Sequence, residues 1–577
     1  MARRLTQVSF LAFVLPIALG SAFAQRLAPV LPEETVFALG TEGLADHAGK
    51  LDAFIAEAER LELGDALTAL FGDAEEGEEF GDDLPAGFDE LAPLDLLGQE
   101  AWFAVSISSF NPLPALTLIA RTSGDATSQV AEGIRQSAEE EGAETASEGS
   151  VTIYLYPVDG EDTPFPVMAI SQADDVVVAS TNPDVLRSVL RRMAGSGEAG
   201  FSSSAGYGST LGQLDGGNIY AFLDYTRLAA ALEPLGSASG FELLVARALG
   251  GLGTVGTSGS VFRVDDDGVT SESIRIPGAG DPALAALLTA SAPASREPLR
   301  FTPAEALSVS VSHFDLPGWW DYLVDLAGSS DELGNPDLDE LAMQFTGIDL
   351  RASLFDWMGS QVASITTGVT APVEPGVPSE NLLGEAVYLV QSSDDAAAGQ
   401  GLSMLFGTVG GLVAGFADPT GQGGAAGIAQ RDVAGVQVTS YRMGPGVNLA
   451  HAVTDGWALI ATSDDAIDQA LAARDQGGAL RGELARLAGE VPDSATAYSL
   501  TDLAETLSQS GAQTASQMQM FAGLAGGNLD FDALQQAGET LEEFVSFVAE
   551  RAGGSVSYTV TDATGTTRSY GRSEFNW

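Results

Sequence analysis

The sequence has no cysteine. Disulfides, thiol nucleophiles and thiolate metal sites are therefore excluded, as is a lipid-modified cysteine at an export cleavage site. Positive charge is scarce as well. Lys50 is the only lysine, and 25 basic residues face 80 acidic ones in 577, a formal charge of −55. Such a chain repels phosphate backbones, which excludes nucleic acid as a partner. Anionic membrane surfaces are disfavoured for the same reason. An acidic balance of this size fits solubility in a salty medium, or loosely bound cations at an envelope. It does not signify disorder, because apolar residues make up 45% of the chain and charged ones only 18%, enough to build real cores.

Histidine is limited to His47, His313 and His451, and none has a second ligand at metal-binding spacing. Long apolar runs are missing too. Beyond the N-terminus no stretch approaches the roughly 18 uninterrupted apolar residues of a membrane span. The mature chain is expected to be soluble, without a transmembrane anchor.

What is present begins with residues 1–24, which read as a secretory signal. Arg3 and Arg4 form a positive start, Val8 to Leu19 an apolar stretch, and Ala22-Phe23-Ala24 a small-x-small cleavage site ahead of Gln25. The expected location is outside the cytoplasm: periplasm, cell surface or medium. Loss of two arginines brings the mature charge near −57.

The remainder reads as one pattern written twice. A proline, an acid and a strand open each half, at Pro32-Glu33-Glu34-Thr35-Val36 and at Pro303-Ala304-Glu305 before Leu307 to Val311. A helix follows each, with Asp46 as cap and Leu51, Phe54, Ile55 and Ala58 at helical spacing in the first copy. Trp319, Trp320, Leu323 and Val324 do the same in the second. The clearest match is an apolar strand ending in a polar cap and a helix. Val176 to Ser180 leads through Asn182-Pro183, and Trp457 to Ala461 leads through Ser463-Asp464. Each half closes on a hairpin, with turns at Asp266-Asp267-Gly268 and around Gly565. The expected fold class is α+β: two tandem homologous domains, each a mainly antiparallel sheet packed with helices. The boundaries are 25–291 for the first repeat, 292–299 for a linker and 300–577 for the second.

Pro32-Glu33-Glu34-Thr35-Val36 near the mature N-terminus, with the repeated strand–cap–helix units behind it, resembles a family of exported bacterial proteins catalogued as domain of unknown function 3352. That resemblance implies an uncharacterised envelope protein. It implies no activity, substrate or site residue.

No catalytic constellation stands out. Gly251-Leu252-Gly253-Thr254-Val255-Gly256 has a dinucleotide-loop spacing, but a helix is expected before it and a strand after it, the reverse of what such a loop needs. Acidic runs at Asp73 to Asp83, Asp265 to Asp267 and Asp331 to Glu340 carry calcium-type oxygens without EF-hand spacing. They read as solvated loops, and no metal or cofactor is assigned. The segment Leu402 to Phe416 is apolar, with Gly407, Gly411 and Gly415 at four-residue intervals, a spacing that lets a helix backbone approach a neighbour closely. Its counterpart at Asp125 to Glu141 is polar, so the second-copy helix is expected to be buried where the first is exposed. Trp319, Trp320, Gly407, Gly411 and Gly415 are the candidate residues for a partner or ligand surface. The expected role is non-enzymatic, binding or structural, at the cell envelope. A carrier of lipid or small apolar ligands, with a groove under the apolar helix, is one alternative. A hydrolase without a recognisable motif is the other.

Overall fold

The computed structural model describes residues 27–61, 63, 99–108, 111–122, 124–158, 167–236, 251, 253–289, 292–328, 337–368, 384–417, 427–444, 447–478, 480–510 and 531–577. The signal-like residues 1–24, the acidic run Asp73 to Asp83 and the glycine-rich loop after Ala417 lie outside them. The chain forms two compact units. One comprises Met1–Ala285 together with Thr566–Phe575 and Trp577, and the other comprises Ala286–Gly565 with Asn576.

Unit 1 is a mixed helix and strand structure. Its strands are β1 (Thr35–Glu42), β2 (Glu100–Ser108), β3 (Asn111–Arg121), β4 (Glu144–Glu148), β5 (Val151–Pro157), β6 (Val167–Ala173), β7 (Val176–Ser180), β8 (Ile219–Asp224), β9 (Thr257–Asp265) and β10 (Gly268–Ile276). Its longer helices are α1 (Ala48–Arg60), α2 (Asp125–Glu140), α3 (Pro183–Met193) and α4 (Tyr225–Gly236). The strands pair antiparallel in the order β4-β5-β6-β7-β3-β2-β1-β8-β9-β10.

Unit 2 has α5 (Leu316–Gly328), α6 (Leu338–Thr346), α7 (Asp395–Ala417), α8 (Asp464–Asp475) and α9 (Phe531–Ala549) as its longer helices. Its strands are β11 (Ser308–His313), β12 (Met358–Gly368), β13 (Glu385–Ser392), β14 (Gly427–Val433), β15 (Val436–Gly444), β16 (Val447–Thr454), β17 (Trp457–Ala461), β18 (Ala497–Asp502) and β19 (Ala552–Thr561). They pair antiparallel as β14-β15-β16-β17-β13-β12-β11-β18-β19, the order of unit 1 strand for strand.

The last strand, β20 (Thr567–Phe575), falls by sequence within the second stretch, 300–577. It clusters with unit 1, where it pairs antiparallel along β10 from Gly268↔Glu574 to Arg275↔Thr567. Phe575 and Trp577 pack beside Leu44, Ile219, Val264 and Val269, and Trp577 Nε1–H donates to Asp265 O at 3.0 Å.

Local chemistry explains the repeated strand–cap–helix step. Asn182 Oδ1 accepts from the backbone N–H groups of Asp184 and Val185, and Ser463 Oγ accepts from that of Ala466. Both satisfy donors that a helix start leaves open. Asp46 does not play this part. A 3-10 turn, Leu44–His47, precedes α1, and His47 occupies the cap without a side-chain bond. Tight turns carry residues at positive φ, Asp174 between β6 and β7 and Asp455 between β16 and β17, both at 54°, as short hairpins of this twist require.

The cores follow the sheets. In unit 1, Ile119, Val178, Leu186, Val189 and Phe201 are fully buried around Trp102. Trp102 lies flat on Gly40, its cross-strand partner, where a Cβ would come within 2.5 Å of the indole. In unit 2 the equivalent pair is Val311 opposite Ala363, so no indole lies over this strand there.

Candidate functional site

Helix α5 is mostly apolar, with Asp321 and Asp325 as its only charges, and yet has no fully buried residue. A helix this rich in large apolar residues normally buries a face in a core. Instead, Phe314, Leu316 and Leu323 are exposed, and on α6 so are Met343 and Phe345, the last to 80%. The spacing of Trp319, Trp320, Leu323 and Val324 predicts an inward face, but Leu323 points outward. Only Trp320 joins a core edge, tilted on Phe355 at 5.3 Å, with its Nε1–H donated to Asp339 Oδ1 at 2.8 Å. Trp319 stacks against Phe314 with ring centroids 6.4 Å apart and meets Tyr322 edge-on at 6.2 Å. Trp319 and Trp320 thus do different jobs. One anchors the helix, and the other belongs to a surface aromatic cluster.

Acids surround that cluster. Asp315 Oδ1 accepts from Gly318 N, and Asp337 caps α6 through Glu340 N. Arg351 bridges Asp321 and Asp339 at 2.5 and 3.4 Å. These contacts hold the Arg351 guanidinium more firmly protonated than usual. The acidic residues between Asp337 and Glu340 serve as caps and as partners of Trp320 and Arg351, while residues 331–336 lie outside the described structure.

The glycine-spaced helix α7 lies over β15, β16 and β17 of unit 2. Ala398, Leu402 and Phe406 face inward and contact a cluster containing Trp357, Tyr441 and Ala458. Its counterpart α2 buries Val130, Ile134 and Ala138 at the same four-residue step. The expected contrast of buried against exposed is therefore weaker than composition suggests: a polar amphipathic helix needs only one apolar stripe to dock. Gly407 makes no close approach, since a Cβ there would meet nothing within 4 Å. The close approach is at Gly401, where a Cβ would fall 1.7 Å from Ser353 O. Gly411 and Gly415 are helical, and their surroundings lie outside the described side chains.

Under α7, His451 is stacked between Phe406 and Tyr441, at 5.8 and 5.6 Å. Its Nε2 lies 3.3 Å from Ser403 Oγ. A serine beside an imidazole is the start of a hydrolytic pair, but Nδ1 has no hydrogen-bond partner, so no acid orients the ring. Burial pushes its pKa down to about 4, which makes it a poor base near neutrality.

The other marked residues are spread apart. His313 ends β11 beside Ser360 and Gln361, whereas His47 starts α1. Lys50 Nζ meets Asp266 Oδ1 at 2.8 Å in the β9–β10 turn and draws that carboxyl below its usual range. Gly256, at φ 85°, turns a helical segment straight into β9, where a Cβ would strike Ile276 O at 1.9 Å. This glycine spacing is a packing device. Among the described residues no group of three or more His, Asp or Glu is placed to hold a metal ion. Among them, too, no helix is long and apolar enough to cross a membrane.

The exposed apolar residues were missed by sequence reasoning because Phe314, Met343 and Phe345 fall outside any helical apolar stripe. The available signal was the dense run of large apolar residues at Leu316 to Leu326, interrupted only by Asp321 and Asp325.

Comparison with known proteins gives a family and little else. The family model described as Protein of unknown function (DUF3352) matches residues 97–525. No curated protein matches. The solved structure titled "Structure of crystal form I of TP0453" aligns at 9% identity over 45% of this chain and 81% of its own, with a TM-score of 0.21, too low to carry an argument. The chain belongs to the family of unknown function that its residues 97–525 match.

Proposed function

We propose that this family member is an exported, non-enzymatic protein of the bacterial cell envelope that binds a partner through the aromatic face of α5 and α6. The observation that carries this reading is the exposure of Phe314 just before α5, of Leu316 and Leu323 on it, and of Met343 and Phe345 on the adjoining α6, since clustered exposed apolar surface on a folded unit marks an interaction site. Asp315, Asp321, Asp325 and Glu340 lie on the same elements, and a formal charge of −55 opposes both self-association and anionic lipid. The fitting partner has apolar anchors within a basic rim, as on a basic amphipathic helix. Export is supported by residues 1–24, and descent from a duplicated domain by the common strand order.

The competing readings have less support. For a lipid carrier, the described inward face of α7 is already filled by Trp357 and Tyr441. For a hydrolase, the Ser403–His451 pair lacks an orienting acid.

A photo-crosslinking residue placed at Leu323 or Phe345 in cells tests the reading, with one at Glu132 on α2 as control. The expected result is a discrete protein adduct at the first two positions, lost on changing the neighbouring Met343 to Glu. Adducts no different from those at Glu132, or adducts to lipid alone, would sink it.

A further inference from the structure

Among the described residues two strands are paired on one side alone, β4 in unit 1 and β14 in unit 2. A strand left open in this way presents a row of backbone donors and acceptors, and proteins blunt such edges by keeping them short and charged. The edge of unit 1 is blunted. β4 has five residues and carries Glu144 and Glu148 at its two ends. The edge of unit 2 is not. β14 has seven residues, and Gly427, Ile428, Ala429 and Gln430 are uncharged and exposed in succession.

The turn fixes which backbone groups of β14 point outward. Ala434 and Gly435, at φ 52° and 76°, form the two-residue loop that joins β14 to β15 as a tight hairpin. Val433 and Val436 face each other across that loop and exchange hydrogen bonds. The alternation of an antiparallel ladder carries the same inward pairing to Arg431 and Ala429. The N–H and C=O groups of Ile428, Gln430 and Asp432 therefore face away from β15. Ile428 lies opposite Tyr441, which is buried, whereas Ile428 is 62% exposed. The local charge is acidic. Arg431 is held by Asp464 and Asp468 at 3.0 and 2.6 Å, two acids to one base, and Asp432 is exposed next to the turn.

We propose that the open edge of β14 takes up an extended segment of a second protein as one further antiparallel strand. The backbone sets the class of occupant, since an extended chain matches outward groups at every second residue. The side chains set its composition. A strand running antiparallel meets Asp432 first, then Gln430, then Ile428. The fitting segment thus has a lysine or arginine four positions before an aliphatic residue. The acids at this edge repel an acidic segment. The formal charge of −55 opposes a second copy of the chain as occupant. The edge shares no residue with the α5–α6 face and does not depend on the role assigned to that face.

The probe is a synthetic peptide with lysine four positions before valine and threonine between and around them, added to the full chain. Amide exchange is followed residue by residue. Ile428, Gln430 and Asp432 should exchange quickly in the free protein. The peptide should protect these three, while Ala429 and Arg431, already held by β15, stay as they are. Gln430→Pro removes one outward donor and none from the β15 ladder. It should weaken binding on the order of tenfold, with Gln430→Ala as control. A peptide with glutamate in place of lysine should bind the wild type more weakly. Asp432→Asn, which keeps an acceptor for Gly435 N–H, should narrow that difference. No alternating protection at the highest peptide concentration would overturn the proposal, as would equal binding of the two peptides by wild type. Protection without peptide that grows with protein concentration would make a second copy the occupant and overturn it too. Should Gln430→Pro disturb the hairpin, faster exchange at Ala429 and Arg431 reveals it, and the two peptides on Asp432→Asn then decide.

Discussion

His451 is 3% exposed and has a single polar neighbour, Ser403 Oγ at 3.3 Å. Burial depresses its pKa from 6.5 to about 4. The folded state therefore binds this proton less readily than the unfolded chain. Its contribution to stability is complete above pH 6.5 and declines as the pH falls toward 4, by roughly 3 kcal/mol in all. Urea unfolding of wild type and His451→Gln between pH 7 and 4 isolates the effect. The wild type should lose more stability than the variant over that interval, and parallel profiles would show that the imidazole is not held neutral. Nothing in the sequence flagged this residue, because a histidine on an alternating strand looks the same whether its stack is dry or wet. Gly40 was hidden for a related reason. Its necessity comes from Trp102, sixty-two positions away in sequence and directly opposite in the sheet.

At the scale of elements, spacing marked α7 correctly as a helix with small residues but did not point to Gly401, where a close backbone contact is made. Four-residue glycine spacing says that a smooth face exists. It does not say which part of that face meets another backbone. Gly401 passes under Ser353 O, and Gly407 faces open space. Gly407→Ala should therefore be neutral or stabilising by up to about 1 kcal/mol, the helix-propensity gain. Gly401→Ala should destabilise unit 2 by about 1–3 kcal/mol through overpacking against backbone. Thermal unfolding of the two variants reads the difference, and equal effects would contradict the assigned contact. The strand–cap–helix steps were legible because Asn182 and Ser463 act on neighbours two or three residues away. The exposed face of α5 was not, since the spacing of its tryptophans is equally compatible with a core.

For the whole molecule, the strand order common to both units was foreshadowed by motifs recurring in register. The pairing of β20 along β10 was not. The hairpin signal around Gly565 rightly pairs β19 with β20, and says nothing of a second partner for the last strand. Deleting Thr566 to Trp577 should leave β10 as an open edge and remove the Phe575 and Trp577 contacts, together worth about 2 kcal/mol or more. Unit 1 should then melt earlier and associate through the exposed edge, while Tyr498 and its neighbours in unit 2 stay protected from exchange. Loss of protection confined to unit 2 would place β20 wrongly.

The return of β20 to unit 1 has a consequence in time. The chain is made from its N-terminus, and the 280 residues from Ala286 to Gly565 separate the body of unit 1 from the strand that completes it. At about 5–20 residues per second, that is a wait of roughly 15 to 60 seconds with one edge of β10 open, the other being paired with β9. Unit 1 is completed only after Ala286 to Gly565 have been made, and a chain broken off before Thr566 is faulty in the part made first.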